Sequence, residues 1–89
     1  MTELSLWDNN IGDEGAKAIA EALKVNPVLT DLNLRNNSIG PEGAIAIAEA
    51  LKVTAVLTKL NLENNNLGYA GEKAVRDAVK GRSGCALEW

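Results

Sequence analysis

No histidine and no phenylalanine occur in this chain, and tyrosine and cysteine occur once each. Each shortage excludes something. Without His there is no imidazole for acid–base chemistry near neutral pH, and the commonest metal ligand is missing. A single Cys rules out an intramolecular disulfide and fits a reducing compartment. Aromatic residues make up only 3% of the chain, so Leu, Ile, Val and Ala have to build the core. Net charge is −3 and no basic run occurs, which argues against a surface that tracks nucleic-acid phosphates. No apolar stretch approaches the roughly 20 residues of a membrane span. The start, Met1-Thr2-Glu3-Leu4, has no basic segment leading into an apolar one. Neither nucleic acid nor membrane is expected as a partner, and the expected location is cytoplasmic.

What the chain has is repetition. Residues 6–24, LWDNNIGDEGAKAIAEALK, return as residues 34–52, LRNNSIGPEGAIAIAEALK. Segments 4–31 and 32–59 agree at 19 of 28 positions, and 32–59 and 60–87 at 10 of 28, so the unit is written three times. A fixed period of this size is the mark of a solenoid, in which one supersecondary unit stacks on its copies. The 89 residues therefore read as one domain, 1–89, with repeats at about 4–31, 32–59 and 60–87 and a C-terminal cap over 81–89.

Within one repeat, Leu32-Asn33-Leu34-Arg35 alternates as a short strand with one face buried. Gly40-Pro41-Glu42-Gly43 turns the chain into a helix. Ala44, Ile47, Ala48 and Leu51 then share one helical face. The spacing predicts strands near Glu3–Trp7, Asp31–Arg35 and Lys59–Glu63, and helices near Asp13–Lys24, Pro41–Lys52 and Tyr69–Lys80. Asn26-Pro27 closes the first helix. Strands about 4.8 Å apart and helices about 10 Å wide cannot stack straight, so the array curves with its strands inside. The fold class is α/β: a short right-handed solenoid of three repeats, with a parallel sheet on the concave side and helices on the convex side. Asn9, Asn37 and Asn65 share one position just after the strand. A buried Asn there serves backbone groups that no ladder reaches, so these three are expected to form a structural ladder.

These residues resemble the leucine-rich repeat pattern L-x-x-L-x-L-x-x-N-x-L. It reads Leu29, Leu32, Leu34, Asn37, Ile39 in one copy and Leu57, Leu60, Leu62, Asn65, Leu67 in the next. Met1, Leu4, Leu6, Asn9 and Ile11 give the first. The 28-residue period and the A-x-x-I-A-E-A-L helix are similar to the ribonuclease-inhibitor-like subfamily. That resemblance implies a binding scaffold. Members hold proteins on the concave face, sense ligands in receptor arrays or activate the Ran GTPase.

Differences between repeats gather at exposed strand positions. The columns are Glu3/Asp31/Lys59, Ser5/Asn33/Asn61, Trp7/Arg35/Glu63 and, nearer the rim, Asp8/Asn36/Asn64. Equivalent residues are neighbours in a parallel sheet, so Asp31 can meet Lys59, and Arg35 can lie between Trp7 and Glu63. The candidate partner-binding residues are Trp7, Asp31, Asn33, Arg35, Lys59, Asn61 and Glu63. On the helix exterior Ile45 aligns with Lys17 and Lys73 and points outward. No catalytic constellation accompanies these columns. Gly12-x-x-Gly15 reads as a turn into a helix rather than a phosphate loop. The carboxylates Glu3, Asp8, Asp31 and Glu63 lie on an open sheet that cannot desolvate them. The expectation is a protein-binding module that is not an enzyme and uses no cofactor or metal, with an unidentified protein as partner. The alternative is a self-assembling or structural fragment of a longer or engineered array, without a ligand of its own.

The two ends differ. Glu72 and Arg76 stand where the other repeats have Ala16/Ala44 and Ala20/Ala48, a polar finish where no further repeat is expected. Leu87 and Trp89 suit a last partial strand, one residue early, and Cys85 falls at a buried Leu position. Ala18, Ala46 and Ala74, with Ala22, Ala50 and Ala78, run unbroken, so the first repeat has no such finish. Two readings follow: a piece of a longer array, or a homo-oligomer formed through the uncapped N-terminal edge.

Overall fold

The computed structural model describes residues 2–6, 8–25, 29–54, 57–80 and 86–88. Trp7, Asn26, Pro27, Cys85 and Trp89 lie outside the described residues, as does most of the expected 81–89 cap. Strands and helices alternate: β1 Thr2–Ser5, α1 Gly12–Val25, β2 Leu29–Asn33, α2 Pro41–Leu51, β3 Lys59–Asn61, α3 Gly68–Lys80 and β4 Ala86–Glu88. The strands form one parallel sheet in chain order. The sheet lines the concave side and the helices the convex side of a short right-handed solenoid. Leu32 pairs with Leu60 at the 28-residue period, whereas Leu60 pairs with Leu87, one residue short of it.

Alternation within the strands and the 3.6-residue period in the helices meet in one core. Leu32 and Leu60 enter it from the strands, Leu34 and Leu62 from the residues just after them, and Ile47, Leu51 and Val75 from the helices. Each is fully buried, and burial of such a side chain stabilises by about 1.5–3 kcal/mol. Between the helices the contacts are alanines: Ala16 and Ala20 on α1, Ala44 and Ala48 on α2, all buried. Glu72 and Arg76, at the same columns of α3, are exposed.

The strands are shorter than the alternation predicts. They end at Ser5, Asn33 and Asn61 rather than at positions 7, 35 and 63. Side chains compete for the backbone there. The Arg35 amide donates to Asn33 Oδ1 at 3.0 Å, and the Glu63 amide to Asn61 Oδ1 at 2.9 Å. These bonds turn the chain locally after β2 and β3, while backbone bonds between repeats continue past the strand ends, from Leu34 N to Asn61 O and from Asn36 N to Glu63 O. The chain then passes through left-handed residues at Asp8, Asn10, Asn36, Ser38 and Asn64, types that tolerate positive φ.

Candidate functional site

On the concave face the register sets Glu3 beside Asp31 and Asp31 beside Lys59, with Ser5, Asn33 and Asn61 in the next row. Arg35 and Lys59 are exposed, while Asp31 and Glu63 are half-buried. Among the described residues, neither Asp31 with Lys59 nor Arg35 with Glu63 comes within the 4 Å of an ion pair. Glu63 Oε1 instead accepts from Asn61 Nδ2 at 3.1 Å. Asn33 and Asn61 are half-buried and spend their amide oxygens on the strand ends. The charged groups turned to solvent on this face are therefore Glu3, Arg35 and Lys59, with Asp31 half-buried beside them. Trp7, the aromatic member of the expected stripe, is outside the described residues.

A shallow hollow of about 80 Å³ lies between Glu3, Asp31, Leu32, Asn33, Lys59 and Asn61. Small-molecule sites are commonly about 300–1,000 Å³, so this hollow suits one inserted side chain rather than a cofactor. Among the described residues no group of three Cys, Asp or Glu could hold a metal ion. No helix among them is long and apolar enough to cross a membrane.

Beneath the face lies the asparagine ladder. Asn37 is fully buried. Its Oδ1 accepts from the amides of Asn9 at 2.8 Å and Ile11 at 3.4 Å, and its Nδ2 donates to the carbonyls of Leu6 and Arg35. Asn65 repeats this one turn later, accepting from the amides of Asn37 and Ile39 and donating to the carbonyl of Leu34. Each Asn reaches toward the repeat before it. Asn9 differs from the buried position expected of it: it is exposed, and its Nδ2 donates to Leu6 O within its own turn at 2.8 Å.

Two further contacts were not legible as sequence. Asp13 Oδ1 accepts from the amides of Gly40 at 2.7 Å and Gly43 at 2.9 Å, so a carboxylate in α1 caps the N-terminus of α2. Lys17 Nζ lies 3.4 Å from Glu42 Oε1 and links the same two helices on the convex side. The only sequence sign of the first is that Asp13 stands where the next repeat has Pro41. Ile45 is outward-facing and 41% exposed.

A family model for the leucine-rich repeat matches residues 1–20, 25–48 and 55–75. The chain belongs to the leucine-rich repeat family. A solved structure of the leiomodin-1 actin-binding site 2 superimposes with a TM-score of 0.89 at 31% identity, covering 99% of this chain. The match covers 53% of that structure, so this leucine-rich repeat chain spans about half its length. No curated protein matches.

Proposed function

We propose that this leucine-rich repeat chain is a non-catalytic protein-interaction module that takes its partner across the concave sheet face. The observation that carries this reading is the open row Asp31, Arg35 and Lys59. Strand register pairs Asp31 with Lys59, Arg35 follows two residues after β2 ends, and no ion pair among the described residues joins them. Mixed charge of this kind steers and orients a protein partner. Trp7 and Glu63 flank the row in sequence, and Trp and Arg are residues that dominate protein interfaces. Asn33 and Asn61 shape the strand ends beneath it.

The similarity to a leiomodin-1 actin-binding site makes actin the first partner to test. Binding to actin would be measured for the parent and for Arg35→Glu, Lys59→Glu and Lys52→Glu. The two concave variants should weaken binding about tenfold or more, because reversing a contacting charge costs several times the thermal energy. Lys52 lies at the end of α2 on the opposite side and should leave binding unchanged. Equal affinity for all three variants sinks the concave-face reading. No binding by the parent sinks actin as the partner.

A further inference from the structure

Neighbouring strands obey charge pairing at one junction of the concave face and break it at the other. Register sets Asp31 of β2 beside Lys59 of β3, an acid beside a base. It also sets Glu3 of β1 beside Asp31, two carboxylates side by side. Like charges at such positions repel and destabilise a sheet. Among the described residues no hydrogen bond or ion pair reaches either carboxylate, and the Lys59 ammonium stays beyond 4 Å of Asp31. Asp31 is half-buried, so it gives up part of its hydration without a donor in return. A local rule broken with no compensating contact is the pattern of a functional position.

The hollow of about 80 Å³ opens beside this pair, and its lining says what relieves the repulsion. Asn33 and Asn61 also line it, but each spends its amide oxygen on the turn after its own strand, and Asn61 Nδ2 is held by Glu63. The acceptors left for a guest are the carboxylates of Glu3 and Asp31. Against them stands one ammonium, Lys59, so the lining is negative by one charge. A cation is therefore the complement, and the volume admits one side-chain headgroup rather than a whole ligand. Carboxylates on strands about 4.8 Å apart suit a planar fork of donors that reaches both. An ammonium, a point charge, meets them less well.

We propose that the hollow beside Glu3 and Asp31 seats an arginine side chain of the protein partner. The proposal rests on the concave-face reading and adds the partner's chemistry at one point of that face. Lys59 bounds the seat on the β3 side, so the guanidinium enters over β1 and β2. The test is titration of the full chain with N-acetyl-arginine amide, followed through the amide resonances of Asp31, Leu32 and Asn33. Their shifts should be at least about threefold larger than with N-acetyl-citrulline amide, which has the same shape without the charge. N-acetyl-lysine amide should shift them less than arginine does. Glu3→Gln and Asp31→Asn should each remove most of the arginine response, whereas Glu63→Gln, at a carboxylate already held by Asn61, should keep it. Glu3→Gln should also raise the thermal midpoint, by about 1–4 °C, because it neutralises one member of a repelling pair. A carboxylate with a merely structural role would lower the midpoint when neutralised. Equal shifts with arginine and citrulline or lysine, an arginine response that survives both substitutions, or a Glu3→Gln midpoint that does not rise overturns the proposal. Actin binding decides the separate question. Weakened binding by Arg35→Glu with no arginine response keeps the concave face and removes the seat. An arginine response without actin binding keeps the seat and removes actin.

Discussion

The interface between the first and second repeats and that between the second and third solve one problem differently. Both must satisfy the amides at the start of a helix. In the first, Asp13 reaches across to Gly40 and Gly43, and Gly40 is extended, with φ −100°. In the second, Pro41 holds the place of Asp13, and Gly68 is left-handed, with φ +69°. The asparagine bonds are common to both interfaces, through Asn37 in one and Asn65 in the other. The ladder is therefore the shared framework, and the carboxylate cap is an addition to one interface. Near-identical repeats need not be equally coupled.

The largest effect should come from the shared framework. Asn37→Ala removes the acceptor of the Asn9 and Ile11 amides, while the carbonyls of Leu6 and Arg35 keep their bonds from Asn9 Nδ2 and the Asp8 amide. Leaving these part-buried amides unpaired costs about 2 kcal/mol. Asn33→Ala, which loses one bond to the Arg35 amide, should cost well under half of that. Urea unfolding of the two variants checks the ranking, and equal midpoints would contradict it.

Gly43 tests the closeness of the first interface. A Cβ there would lie 2.7 Å from Asp13 Oδ1 and 2.9 Å from both Ala16 Cβ and Ile39 Cγ2. Gly43→Ala should therefore cost about 2 kcal/mol. The equivalent Gly71 has its nearest contact, Ala44 Cβ, at 3.0 Å, and Gly71→Ala should cost less. A larger loss at Gly71 would reverse the comparison.

Asp13→Ala removes the cap alone and should cost about 1 kcal/mol, as loss of a helix cap does. The readout specific to this contact is amide exchange. It should accelerate at Gly40 and Gly43 and stay unchanged at Gly68 and Gly71, which no Asp13 oxygen reaches. Uniform acceleration would mean general loosening instead.

Much of this was legible in the sequence because the period enforces it. Leu32 and Leu34 could be assigned to the core, and Asn37 to the turn, since three aligned copies leave few alternatives. Strand ends were not legible. The alternation continues through Arg35 and Glu63, as do the backbone bonds between repeats, and only the side-chain bonds of Asn33 and Asn61 mark where the extended conformation gives way to a turn. Asp13 was hidden for a different reason. Its partners lie 27 and 30 residues away, and nothing local distinguishes it from an ordinary acidic residue in a first helical turn. Among the concave candidates, register neighbours were predictable from the period. Whether Asp31 and Lys59 would close into an ion pair was not, because long side chains on an open sheet gain little by doing so.

The smallest expected effect contrasts a bridge between helices with one inside a helix. Lys17 links α1 to Glu42 of α2, whereas Lys73 of α3 donates to Asp77 four residues on, at 3.0 Å. The hydrogen bond from Lys73 holds the Asp77 carboxyl below its ordinary value of 3.8. Slight desolvation opposes this, and the positive charges of Lys73, Lys80 and Arg76 assist it. A carboxyl depressed in the folded state adds stability above its unfolded pKa and loses it as pH falls through the folded one. The contribution of Asp77 should therefore be complete at neutral pH and fade below about 3.8. Asp77→Asn should lower the thermal midpoint slightly at pH 7, less so in high salt, and progressively less as pH falls below 3.8. Because Lys73 and Asp77 share one helix, the substitution should leave amide exchange at Gly40 and Gly43 untouched. A deficit that does not shrink as pH falls below 3.8 would show that Asp77 acts through packing rather than through its charge.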